Sequence, residues 1–99
     1  MRRFRWMRVI SRRSLREFWG THPQAEAPLD NWYRIASRAA WQNLVEVQND
    51  FPHADLVGNL IVFNIGGNNY RLAVKIEFIK QLIFVKYVLT HRDYTRIFT

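Results

Sequence analysis

The chain contains no cysteine. Disulfide frameworks and thiolate zinc sites are therefore closed to it, and a reducing cytoplasm is compatible with that composition. Its three histidines, His22, His53 and His91, lie far apart and form no HExxH-like spacing, so no metal ligand set is written in the sequence. Acidic residues are scarce, eight against fifteen Lys and Arg, and no paired carboxylates suggest a two-metal centre. The expectation is a protein that works without metal or cofactor. No apolar run approaches the roughly 18–20 residues of a membrane span. The Arg-rich N-terminus also lacks the continuous apolar stretch of a signal peptide. Glycine and proline number only four and three, too few for a flexible linker, and no internal repeat or low-complexity segment is present.

What remains is one small domain of 99 residues. An apolar content of 48%, with four Trp and seven Phe, is enough to build a core without covalent staples. The formal charge of +7 is unevenly placed. Residues 1–16 carry seven Arg and no acid, residues 17–59 carry two Arg against six acids, and residues 60–99 carry six bases against two acids. Basic ends around an acidic middle suggest a polyanionic partner, although a solvated surface gives the same pattern.

The segment 6–10, WMRVI, reads as a short first strand. Met7 is an alternative start for the domain, so residues 1–6 are expected to be an extension and 7–99 the folded unit. Residues 11–20 predict a helix capped by Ser11 or Ser14. With Ser14 as cap, Glu17 completes a capping box. Leu15, Phe18 and Trp19 form its apolar face, while Arg12, Arg13 and Arg16 project elsewhere. Gly20 to Pro23 end it, and His22 reads as a loop residue. Pro28 opens a second helix with a core stripe of Leu29, Trp32, Tyr33, Ala36, Ala39 and Ala40. Arg34 and Arg38 lie on its outer side. A short helical turn over residues 44–51 stops at Pro52, and His53 follows without a clear place.

The most ordered pattern spans residues 60–94. Residues 61–65 are mostly apolar and rich in branched side chains, and Gly66-Gly67-Asn68-Asn69 tolerates the positive φ angles of a tight hairpin. Tyr70, Leu72, Val74, Ile76 and Phe78 then alternate with Arg71, Ala73, Lys75 and Glu77. A third strand over residues 82–89 carries Lys86 among apolar neighbours, ahead of Thr90-His91-Arg92-Asp93-Tyr94. The order predicts an α+β domain. Two N-terminal helices pack on one face of a mainly antiparallel sheet, and a short helix ends the chain. The opposite face is left to present Arg71, Lys75 and Lys86.

Those residues suit metal-free cleavage of a phosphodiester. Arginine offers a planar fork for phosphate, lysine a point charge. Histidine exchanges protons near neutral pH, and tyrosine serves as acid, base or donor. Each also has a plainer reading. Arg71 and Lys75 are the wet face of a strand, His91 starts a helix, and Tyr94 packs with its hydroxyl at the surface. Lys86 is harder to account for in that way, because it interrupts an apolar strand.

MRVISRRSLREFW from Met7, the proline-bounded PLDNWYR helix, VFNIGGNNYRLAVKI and THRDYTRI together resemble the HigB family of bacterial toxins. The similarity covers about nine-tenths of the chain, and the FNIGGNNYRL hairpin and the TH-x-acid-Y ending carry it most specifically. It implies the RelE-like fold and an mRNA interferase of a type II toxin–antitoxin system, an endoribonuclease acting on translated message in the ribosomal A site. It also implies a cognate helix-turn-helix antitoxin of the HigA kind, through which any DNA contact is made, and a bacterial cytoplasmic location. By matching positions, it implies catalytic roles for Arg71, Lys75, Lys86, His91 and Tyr94. Arg12, Arg13, Arg16, Asn68 and Asp93 are expected on the RNA. Asp93 stands where the family usually has Glu, and Thr95 where an Asp is common. A binding module that inhibits translation without cutting is the competing reading.

Overall fold

The structure is a computed structural model that describes residues 6–98. Five strands form one sheet: β1 (Arg8–Ile10), β2 (Asp55–Val57), β3 (Leu60–Ile65), β4 (Tyr70–Glu77) and β5 (Leu82–Thr90). Their order across the sheet is β1-β5-β4-β3-β2. Every pairing is antiparallel except β1 with β5, where Arg8, Val9 and Ile10 lie parallel to Leu82, Ile83 and Phe84. The helices among the described residues are α1 (Arg12–Thr21), α2 (Glu26–Ala36), α3 (Leu44–Asp50) and α4 (His91–Phe98), with a 3-10 turn at Pro23–Ala25. The α+β architecture expected from the sequence is the one observed.

Alternation in the central strands decides where the core lies. Ile61 faces Val74, Phe63 faces Leu72, and Ile65 faces Tyr70, all buried. That face receives Leu15 from α1 and Leu29, Trp32 and Ala36 from α2, none with measurable exposure. Trp32 meets Phe63 edge-on with ring centroids 5.4 Å apart, within the range where aromatic pairs add about 0.5–1.5 kcal/mol to area burial. The β3–β4 turn keeps Gly66 and Gly67 at φ +61° and +67°, the left-handed region that L side chains resist.

Several local expectations are corrected. The first strand is three residues long, not five, and residues 1–5 of the expected extension lie outside the described residues. Ser11 rather than Ser14 precedes α1, and it makes no side-chain capping bond. Glu17 pairs instead with Arg13 at 3.0 Å, so the capping box does not form. The second helix begins two residues before Pro28 and ends at Ala36, leaving Ala39 and Ala40 in the following loop. That loop is still part of the core edge, because Met7 N–H donates to the Ala39 carbonyl at 2.9 Å. Strand β2 was not expected; Gly58 at φ +62° turns the chain back so that Asp55 to Val57 pair with β3.

The sheet's second face is also less open than alternation implied. Helix α4 lies against it: Tyr87 on β5 meets Phe98 at 5.8 Å, and Tyr94 stacks on Phe98 at 4.8 Å. The paired residues Val62 and Ala73 on that face are 5% and 1% exposed. Ala73 is therefore a packing position, not part of a wet strand surface.

Candidate functional site

The site is built where the β3–β4 hairpin meets the start of α4. Tyr70 pairs with Thr90 and Arg71 with Leu89, so the last residues of β5 run beside the first of β4. The backbone N–H of His91 donates to the Asn69 carbonyl at 2.8 Å, tying the head of α4 to the hairpin loop. Thr90 caps that helix, its Oγ1 accepting from the Asp93 N–H at 3.0 Å. The TH-x-acid pattern thus has a local structural cause: a capping threonine, then an acid in the positive first turn.

Five expected residues lie on the hairpin and the head of α4. The Arg71 guanidinium donates from Nη2 to Asn68 Oδ1 at 2.6 Å and from Nη1 to the Asn68 and Tyr70 carbonyls at 3.3 and 3.2 Å. It also lies over the Tyr94 ring, 5.7 Å from its centroid. His91 and Tyr94 are three residues apart on α4, a spacing that puts both on one helical face. His91 is exposed, and Arg71 and Tyr94 are half-buried. The Asn68 side chain is thus engaged by Arg71. Asp93 supports the helix start, and its carboxylate stands 3.8 Å from Arg96.

Lys75 and Lys86 do not line up with Arg71 as a single row. Lys75 is four residues along β4, roughly 13 Å at the strand rise, and its ammonium is 3.5 Å from Glu77. Lys86 is the odd residue in β5: Tyr87 pairs with Ala73 and Val85 with Val74, leaving Lys86 as a bulge. A bulge breaks the two-residue alternation and re-aims a side chain. Lys86 is exposed, with its ammonium 5.7 Å from the Phe84 ring. It sits past Phe84, where β1 stops, on the stretch of β5 whose outer edge has no strand beside it among the described residues.

The arginines of α1 separate into three. Arg12 bonds Asp30 of α2 at 3.0 Å and lies 5.1 and 5.9 Å from the Tyr33 and Trp19 rings. Asp30 also faces Arg34 at 3.6 Å. Arg12 is thus a clamp between two helices. Arg13 is exposed and held by Glu17. Arg16 is exposed, and no ion-pair partner is found for it among the described residues. His22, expected in a loop, closes α1 and stacks on Phe18 with ring centroids 4.2 Å apart, edge-on to Tyr70. His53 lines a small cavity of about 100 Å³ with Phe51, Ala54, Phe63 and Asn64. Among the described residues, no three His, Asp or Glu side chains gather as a metal-binding group, and no helix is long and apolar enough to cross a membrane.

Residues 25–97 match a family model described as HigB toxin, the RelE-like toxic component of a toxin–antitoxin system. The match takes in the hairpin, β5 and nearly all of α4. Among curated proteins, an mRNA interferase HigB of Escherichia coli O6:H1 is 27% identical, covering 92% of this chain and 91% of the relative. An mRNA interferase toxin HigB of Escherichia coli K12 is 25% identical, covering 89% and 88%. An mRNA interferase HigB of Shigella flexneri shows the same identity and coverage as the latter.

Proposed function

Because the chain belongs to the HigB family of RelE-like toxic components of toxin–antitoxin systems, we propose that it is a metal-independent endoribonuclease that cuts messenger RNA during translation at the ribosome. The observation that carries this reading is the Arg71 guanidinium held by Asn68 against Tyr94, at the head of the helix that bears His91. A fixed cation beside two proton-exchanging side chains is the minimum that RNA cleavage requires.

In the reaction, the RNA 2′-oxygen attacks the adjacent phosphorus as its proton is removed. The bond from phosphorus to the 5′-oxygen breaks, and that oxygen takes a proton on leaving. The products are a 2′,3′-cyclic phosphate and a 5′-hydroxyl. His91 and Tyr94 divide the two proton transfers. Arg71 forks the non-bridging oxygens and stabilises the charge that grows on them, a contribution of about 10²–10³ in rate for one well-placed donor. Lys86, at the open edge of β5, and Lys75, farther along β4, attract the chain of phosphates on either side. Arg13 and Arg16 extend that basic path along α1. The partner that silences the toxin is an antitoxin of the HigA type, with a helix-turn-helix domain that makes the DNA contacts.

The test is controlled expression in bacteria of the wild type, Arg71→Ala and His91→Ala, with message 5′ ends mapped in translated and untranslated transcripts. New ends confined to translated messages, and absent with both variants, are expected. Growth arrest with intact messages would instead identify a translation inhibitor that binds without cutting. Normal cutting by both variants would displace the site.

A further inference from the structure

On the other side of Lys86 from the Arg71 cluster lies a groove of about 320 Å³, bounded by Ser14, Glu17 and Phe18 of α1 and by Val85, Lys86 and Val88 of β5. We propose that this groove is a nucleobase subsite, which seats one unstacked base beside the cut and selects bases bearing an exocyclic amino group over uracil. The proposal rests on the RNA-cleavage reading above and adds to it where sequence preference arises.

The composition of the groove argues for a base. Phe18, Val85 and Val88 are half-buried and give apolar walls, while Ser14 and Glu17 bring a hydroxyl and a carboxylate to the same space. Single-stranded RNA is recognised in this manner, by a planar base against apolar or aromatic groups with a few polar atoms reading its edge. Ser14, Glu17 and Phe18 stand at i, i+3 and i+4, one face of α1, so the helix presents all three together. The Phe18 ring is held in place by His22 stacked on it and by Tyr70 at its edge.

Access and charge fit the same occupant. The groove opens beside the stretch of β5 whose outer edge has no strand beside it among the described residues, because β1 ends opposite Phe84. Lys86 borders both this groove and the Phe84 side of the sheet, the face that carries Lys75 and Arg71. A phosphate chain running from Arg71 past Lys86 therefore reaches the groove with a cation at the turn. Among the described residues Glu17 is paired with Arg13, in a pair whose side chains are 65% and 77% exposed, and such a pair is readily exchanged for another donor. A carboxylate is acceptor-only, so it rewards an exocyclic amino group, whereas uracil offers it a lone N3–H flanked by two carbonyl oxygens that it repels. Arg13 and Arg16 remain on the same helix to balance the charge.

The experiment is to sequence cut ends from a mixed pool of translated messages after expression of wild type, Glu17→Gln and Ser14→Ala, alongside antitoxin rescue of growth. With wild type, uracil should be depleted at one fixed position beside the cut. With Glu17→Gln, which offers both a donor and an acceptor in the same shape, uracil at that position should rise about fivefold. Ser14→Ala should blur the preference at the same position and at no other. An identical base profile in wild type and Glu17→Gln overturns the subsite while leaving cleavage intact. If the profile is unchanged and antitoxin rescue weakens, the groove belongs to the protein partner and the subsite is likewise overturned. Wild-type protein that makes no cuts overturns the cleavage reading itself, and the subsite with it.

Discussion

Replacing Asn68 by Ala should slow message cleavage about fivefold, and it should do so through Arg71. The Asn68 side chain accepts the shortest of the Arg71 hydrogen bonds, 2.6 Å from Nη2, while the other bonds go to main-chain carbonyls that the substitution leaves in place. A hydrogen bond to a charged group is worth roughly 1.5–3 kcal/mol when shielded. This one is exposed, so about 1 kcal/mol is the appropriate size. That energy corresponds to about a fivefold change in how often the guanidinium is correctly held. Arg71→Ala removes the charge itself and should cost about 10²–10³. Once Arg71 is gone, Asn68 has nothing to hold, so the double variant should match Arg71→Ala within about twofold. The assay is the initial rate of cutting a defined message in a reconstituted translation mixture, with the melting temperature as a control for folding. An equal fivefold loss in both backgrounds would refute the argument and place Asn68 on the RNA independently of Arg71.

Two further outcomes concern stability. Arg12→Ala breaks the bond to Asp30, whose side chain is 29% exposed, and strips two ring contacts; about 1–2 kcal/mol should be lost, lowering Tm by about 5–10 °C. Arg13→Ala breaks only a pair standing in solvent and should leave Tm within about 2–3 °C of wild type; if the two variants melt alike, Arg12 is not the clamp described. Gln81, 6% exposed, donates from Nε2 to the Trp41 and Phe78 carbonyls at 2.7 and 2.8 Å, so Gln81→Ala should cost about 1–3 kcal/mol. Its φ of 57° is left-handed, and Gln81→Gly should therefore be the more stable of the two by about 1 kcal/mol in denaturant unfolding. The reverse order would show that the backbone there relaxes.

Much of this protein could be read without coordinates, and for definite reasons. Strand alternation from Tyr70 to Ile76 has a period set by the backbone, so the core-facing set is legible directly. The hairpin at Gly66 and Gly67 needs a φ that few other residues tolerate, and glycine announces it. Leu29, Trp32 and Ala36 mark one helical face because 3.6 residues make a turn. The residues proposed for the chemistry, Arg71, His91 and Tyr94, were singled out by the resemblance of two short segments, and one strand pairing sets those segments side by side.

Only the tertiary structure decided the rest. Helix α4 lies against β5 because Tyr87, Tyr94 and Phe98 find one another there, and no periodicity encodes that meeting. Lys86 leaves the row of Arg71 and Lys75 through a bulge, which depends on β4 and β5 together and not on either strand alone. Arg12 turned inward because Asp30, eighteen residues later, lies beside it once α1 and α2 pack. Composition determined that the chain is basic and can fold without disulfides; the packing of helices on the sheet determined which of those bases hold the protein together and which face outward.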